Sequence, residues 1–263
     1  MIMSTNAAHL MSEEQVDELA ESEVLDEARD VVSNLEIRLQ QVRTGSLARD
    51  EAAKLLSQDA ANLRLKARTV AVNGLAPITH RLDEYLSSVK SIEDSHIPDL
   101  QTFGDRISAL LDGDYVTSEE TAEVVRNLPH MMTFEVSDVS ITDTEVTLVL
   151  PQRSAAHVVG RELAACGYRV STVLDPLEAI GLIVETRPDL VITTVVMPRL
   201  SGVDLACALA AMPSTKSIPV AVLTSLEPNH PDLATLPMNS GLIRRGPSFG
   251  DDLADVLQRF NIT

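Results

Sequence analysis

Apolar and polar residues recur along this chain with two different periods, and the change falls near residue 115. From residue 12 to 115 the period is helical. In VLDEARDVVSNLEIRLQQVR the positions Val24, Leu25, Ala28, Val31, Val32, Leu35 and Leu39 are spaced at three and four, which aligns them on one helix face. RDEAAKLLSQDAANLRLKARTVAV places Leu55, Leu56, Ala60, Leu63, Ala67, Val70 and Ala71 on one stripe, and Asn73-Gly74 stops it. LAPITHRLDEYLSSV predicts a third helix, and IPDLQTFGDRISALLDG a fourth, with Pro98 near its start and Gly113 near its end. Four amphipathic helices with short links predict an up-and-down four-helix bundle over residues 12–115.

Residues 116–143 read as a linker. TSEETAEVVRNLP opens with the capping-box pair Thr117 and Glu120 and ends at a proline, so it predicts a short helix. FEVSDVSI alternates through Phe134, Val136 and Val139 and predicts an edge or linker strand.

Over residues 144–263 strand and helix patterns alternate. EVTLVLP, YRVSTVL, DLVITT, IPVAVLTS and SGLIRR read as strands. AAHVVGRELAACG, DPLEAIGLIVETR, SGVDLACALAAM (capped by Ser201) and GDDLADVLQRF read as helices, while EPNHPDLATLP is too rich in proline to be a full helix. Five strands alternating with helices predict a doubly wound parallel sheet, a (βα)5 flavodoxin-like domain, so the whole chain is expected to be an α+β multidomain protein. In such a sheet ligand chemistry belongs at the carboxyl ends of the strands.

Composition narrows the function classes. Lys and Arg total 21 against 39 acids, a formal net charge of −18, which disfavours nucleic acid and anionic membrane surfaces as partners. Nine of the carboxylates lie in MSEEQVDELAESEVLDEARD beside one base, Arg29. That stretch reads as a solvated helix face or self-repelling terminus, with a docking arm for a basic partner as the other reading. Aromatics are 3% of the chain, so Leu, Val, Ile and Ala must build the cores. Cys166 and Cys207 sit in apolar helical patterns and are expected to be reduced core residues of a cytoplasmic protein. No apolar run approaches the ~18 residues of a membrane span.

The stretch DLVITTVVMPRLSG, with its MP dipeptide and turn glycine, together with IPVAVLTS and ETRPDL, resembles the receiver domain of two-component response regulators over residues 144–263. The resemblance implies an aspartate nucleophile at the end of the third strand, acids after the first strand to hold Mg²⁺, a lysine after the fifth and a hydroxyl after the fourth. Oxygen ligands for the metal and charge neutralisation are what phosphoryl transfer requires. Here the nucleophile position holds Thr194, and the acid positions fall on Pro151, Gln152 and Arg153. The lysine position falls at Arg245 or Gly246, and Thr224 alone matches, in the hydroxyl position. The expectation is a pseudo-receiver that is not phosphorylated, without metal or other cofactor. Arg153, Arg244 and Arg245 are read either as solvated loop-end charges or as a cluster that accepts a phosphate or carboxylate.

LRLKARTVAVNGLAPITHRLDEYL resembles the central hairpin of histidine-phosphotransfer (HPt) domains. The alignment puts the phosphohistidine position on Ala61 or Asn62 and the lysine position on Arg64, so a nucleophile is lacking there too. His80, the one histidine of that hairpin, is expected to have a structural or surface role. His96, His130, His157 and His230 show no metal-ligand spacing.

Three readings of function follow. The first is a non-catalytic regulatory or adaptor protein of a bacterial two-component pathway, bound to a kinase, phosphotransferase or receiver. The second is a histidine phosphotransfer protein or phosphatase acting through His80. The third is a structural homodimer in which the bundle or the last helix mediates assembly, with exposed apolar residues of SGLIRR and GDDLADVLQRF as its interface.

Overall fold

A computed structural model describes residues 12–114, 117–130 and 143–262. The strand expected at Phe134–Val139 lies outside the described residues. Four helices make up the N-terminal half: α1 (Glu13–Thr44), α2 (Arg49–Ala67), α3 (Leu75–Ser87) and α4 (His96–Leu111). Each packs against its chain neighbours, and α4 closes the ring on α1. Local chemistry sets their ends. Ser12 and Gln15 form a capping box at the start of α1, and Gly45 ends it in the left-handed region at φ 74°. Helix α2 stops at Ala67, short of the expected Asn73-Gly74, and leaves Ala71 exposed rather than on the buried stripe. The β-branched Thr69, Val70 and Val72 that follow are poor helix formers. The core is aliphatic around Phe103 and Ile107, both fully buried, with the Tyr85 ring 5.7 Å from that of Phe103.

A short helix α5 (Ser118–Arg126), with the expected Thr117–Glu120 capping box, leads to the α/β half. There β1 (Glu145–Val149), β2 (Arg169–Val173), β3 (Leu190–Thr194), β4 (Val220–Thr224) and β5 (Ser240–Arg244) form one parallel sheet in the order β2-β1-β3-β4-β5. Helices α6 (Arg153–Ala165), α7 (Pro176–Thr186), α8 (Gly202–Ala211) and α9 (Phe249–Phe260) alternate with them. The proline-rich segment between β4 and β5 contains only a 3-10 turn, Pro231–Leu233. Strands β1, β3 and β4 are buried throughout, as the central strands of a sheet covered on both faces must be.

Two expectations change here. Ile243, Leu253, Val256 and Leu257 are buried against the sheet and Leu242 is half-buried. The apolar residues of β5 and α9 therefore form core rather than a dimer face. Cys166 caps the end of α6 in the solvent rather than in a core, whereas Cys207 is half-buried and packs against the core around Val203 and Val222; both are free thiols.

The two halves meet along α3, which lies against α7 and the edge strand β2. Arg81 of α3 pairs with Glu145 and donates to the Val170 carbonyl at 3.4 Å. Arg169 Nε stands 3.1 Å from the other Glu145 oxygen. Glu84 accepts the Thr172 backbone N–H and, at 3.1 Å, the Ser171 hydroxyl. Arg64 of α2 bridges Asp83 at 2.8 Å and Glu178 of α7 at 2.7 Å, and Arg68 reaches the same Glu178 at 3.2 Å. Gly74, at φ 85°, donates its N–H to Glu185 at 3.2 Å.

Replacing Phe103 by Ala removes the largest fully buried side chain of the bundle. The variant is expected to lose about 3–5 kcal/mol. Urea denaturation would read this as a lower midpoint at unchanged slope.

Candidate functional site

The carboxyl ends of β1, β3, β4 and β5 bring together the residues that the sequence singled out. Thr194 is the last residue of β3 and is 9% exposed; Thr224 is the last of β4 and is 4% exposed. The turn after β3 returns tightly. Gly202 donates its N–H to the Val195 carbonyl at 3.0 Å, and a Cβ on it would stand 2.2 Å from the Thr194 carbonyl oxygen. Only glycine fits there, which is the physical content of the turn glycine in MPRLSG. The following helix α8 begins with a Ser201–Asp204 capping box. Arg199, in the same turn, pairs with Asp175 at the N-terminus of α7.

At the end of β5 the two arginines part. Arg245 reaches inward, and its Nη2 donates to the Thr194 hydroxyl at 3.0 Å. Arg244 turns the other way, onto Asp252 of α9, with Nε at 2.9 Å, Nη2 at 2.7 Å and its backbone N–H at 2.8 Å. This pairing holds the Asp252 carboxyl below its ordinary value. Arg153 is the first residue of α6 and is exposed. The three-arginine anion cluster is therefore not assembled: Arg244 is neutralised by Asp252, and Arg245 alone reaches Thr194. The physical reason is the packing of α9, whose Asp252 takes Arg244 at the end of the strand, while Arg245, the next residue, meets the Thr194 hydroxyl.

The Thr224 hydroxyl accepts the Leu226 N–H at 3.0 Å and the Thr224 carbonyl accepts the Arg245 N–H at 3.2 Å, so both groups are used within the loops. Pro151 is half-buried and Gln152 is exposed at the N-terminus of α6. With Thr194, these residues supply no carboxylate. Mg²⁺ takes its protein ligands from carboxylate oxygens, so this donor set does not fit it, and the described residues contain no cluster of His, Cys, Asp or Glu with metal-binding geometry. No base is hydrogen-bonded to the Thr194 hydroxyl among the described residues; its partner is a guanidinium, a donor that cannot accept the hydroxyl proton.

In the bundle, Ala61 is half-buried and Asn62 exposed on α2, and Arg64 is taken up by the two carboxylates of the interface. Burial would lower the Arg64 guanidinium, but Glu178 and Asp83 outweigh it and raise its basicity. His80 is not a surface residue. It is 2% exposed at the junction of the halves, where burial, reinforced by Arg64 and Arg81, pushes its ring well below the ordinary histidine value. The charged contacts between the halves were not foreseen, and no periodicity would reveal them. No helix among the described residues is long and apolar enough to cross a membrane.

Gly202→Ala would force the β3–α8 turn to move against the Thr194 backbone. A loss of about 2–3 kcal/mol is expected, read from chemical denaturation, as for other overpacked sites.

No family model matches the chain. Over 88 residues it is 34% identical to the transcriptional regulatory protein PrrA of Mycobacterium leprae (strain TN), which covers 34% of this chain and 37% of that protein. It is 34% identical over 80 residues to the response regulator MprA of Mycobacterium sp. (strain KMS), 30% of this chain and 34% of the relative. It is also 34% identical over 87 residues to the two-component response regulator-like APRR3 of Arabidopsis thaliana, 32% and 18% of the respective chains. Among solved structures, the receiver domain of sensor histidine kinase PA1611 from Pseudomonas aeruginosa PAO1 covers 45% of this chain and 98% of its own, at 20% identity and TM-score 0.40. The chemotaxis response regulator CheY4 of Vibrio cholerae covers 46% and 99%, at 25% identity and TM-score 0.39. The chain thus spans about 37% of the length of the curated relative PrrA that it matches, and what it shares with these regulators is homology to the response-regulator receiver domain.

Proposed function

We propose that this chain is a non-catalytic adaptor of a two-component pathway, a pseudo-receiver joined to an HPt-like bundle. It would bind a histidine kinase, phosphotransferase or receiver without accepting a phosphoryl group. The observation that carries this reading is the Thr194–Arg245 hydrogen bond, which puts a hydroxyl and a guanidinium where the receiver reaction needs a carboxylate, a metal ion and a lysine. The hydroxyl of Thr194 cannot form an acyl phosphate, and Pro151, Gln152 and Arg153 offer nothing to hold a divalent ion.

A protein of this kind acts by binding one state of its partner better than another, which shifts that partner's equilibrium by the difference in affinity. Its own state would then follow partner binding rather than phosphate. The docked bundle covers α7 and the β2 edge, so α6, with Val158 56% exposed, is among the helices of the α/β half that the bundle leaves open to a second protein. Phosphotransfer through His80 is disfavoured by the burial of both ring nitrogens between the halves.

Incubation of the full chain with acetyl phosphate, or with a phosphorylated histidine kinase, each with Mg²⁺, is expected to leave the intact mass unchanged. A gain of about 80 Da, the mass of one phosphoryl group, would overturn the reading, and its assignment to His80 would favour the phosphotransfer alternative.

A further inference from the structure

His80 lies in the contact between the halves with neither ring nitrogen in a hydrogen bond of good geometry, and the Thr172 backbone beside it is the one group that favours the charged ring against burial and the arginines. The nearest carboxylate oxygens are Glu84 Oε2, 3.7 Å from Nε2, and Glu178 Oε1, 4.0 Å from Nδ1 across the interface. The ring borders a cavity of about 190 Å³ between the bundle and α7, whose walls also carry Arg64, Arg68, Glu178 and Glu185.

The charged groups facing the ring are already committed. Glu178 receives Arg64 and Arg68. Glu84 accepts from Thr172 and Ser171, Glu185 accepts from Gly74, Asp83 holds Arg64, and Glu145 holds Arg81. An imidazolium formed here would have to share Glu84 and Glu178 with the donors they already hold, beside three guanidiniums, Arg64, Arg68 and Arg81. Adding a charge to such a buried site is costly, and separating the halves into water relieves it.

We propose that the contact between the bundle and the α/β half is a pH-sensitive latch, closed while His80 is neutral and released when His80 is protonated. The proposal does not rest on the adaptor reading and needs no phosphorylation.

The direction follows from linkage. In the released form His80 regains a value near 6.5, whereas burial and the arginines hold it well below that when docked. The released form therefore binds more protons below about pH 6.5. Docking is fully present above that value and weakens as pH falls, by about tenfold in the opening equilibrium between pH 7.5 and 5.5. Glu84 and Glu185 act in the opposite sense. Burial raises both carboxyls, so their contribution to docking is present in acid and lost as pH rises through their raised values. His130, lowered by burial and by Arg169 and Arg81, is the other group that shifts in the direction of His80.

Hydrogen exchange on the full chain reads the latch directly, because the Thr172 and Gly74 amides donate across the interface to Glu84 and Glu185. Protection factors at pH 7.5 and 5.5 would be compared with that of Ile192 inside the sheet. The expected result is about a tenfold loss at Thr172 and Gly74, with Ile192 unchanged, as for one proton taken up on opening. His80→Leu should abolish that pH response, and His80→Asn serves the same purpose should the Leu variant not fold. A flat response in the unmodified protein overturns the latch. So does a response of equal size in the His80 variants, which would move the effect to His130 or another group, and so does a loss that includes Ile192.

Discussion

Glu145 opens the interior strand β1 at 4% exposure, with Arg81 of the bundle on one carboxylate oxygen and Arg169 of β2 on the other. Its backbone N–H goes to Asp189 at 2.8 Å, and Asp189 in turn holds Arg126 of α5. A carboxylate at that depth is tolerated only in such company, since an unpaired buried charge costs several kcal/mol. The α/β half by itself supplies one cation. The second comes from the bundle, and Arg81 reaches it only when α3 lies along β2 and α7. The mutual placement of the halves is thus the solution to a charge problem at the start of the first strand.

The same placement resolves a second difficulty. Strand β2 is an edge of the sheet, and an edge presents unpaired N–H and C=O groups that invite association. Glu84 takes the Thr172 N–H and Arg81 the Val170 carbonyl, so side chains of α3 stand in for the missing neighbour strand. Around these polar contacts, buried ion pairs contribute more to geometry than to net stability, because desolvation offsets much of their attraction. An interface of this composition is specific in its register and sensitive to any change of charge inside it, and His80 is where such a change is chemically available at mild pH.

Much of this was legible in the sequence. The strand and helix periods of the α/β half, the Ser201 and Thr117 caps and the proline-rich segment without a full helix are local features, and local features set them. The four strand-end positions were legible too, because parallel topology places them at one end of the sheet whatever their identity. What was not legible depends on contacts between distant segments. Arg244 and Arg245 are neighbours with the same side chain, and only the packing of α9 shows that one meets Asp252 and the other Thr194. The periods of β5 and α9 showed apolar faces but not which of them the sheet would cover. His80 looked solitary on its hairpin, and its surroundings come from α7 and β2, about one hundred residues away in the chain.

The pocket at the strand ends shows which features a backbone enforces and which it leaves to drift. Gly202 is held by sterics, since a Cβ would overlap the Thr194 carbonyl, and that constraint is the same whether residue 194 is reactive or inert. No such backbone overlap fixes the side chains at 152, 153 and 245, which are exposed. With no carboxylate at Thr194 there is no charge for a lysine to neutralise and no dianion for a metal to share, so the remaining cation needs only a neutral acceptor. Arg245, longer than lysine and able to donate from several nitrogens, finds that acceptor in the Thr194 hydroxyl. The hydroxyl at Thr194 and the guanidinium of Arg245 are thus matched to each other, and the tight turn at Gly202 is required by the backbone whatever side chain stands at 194.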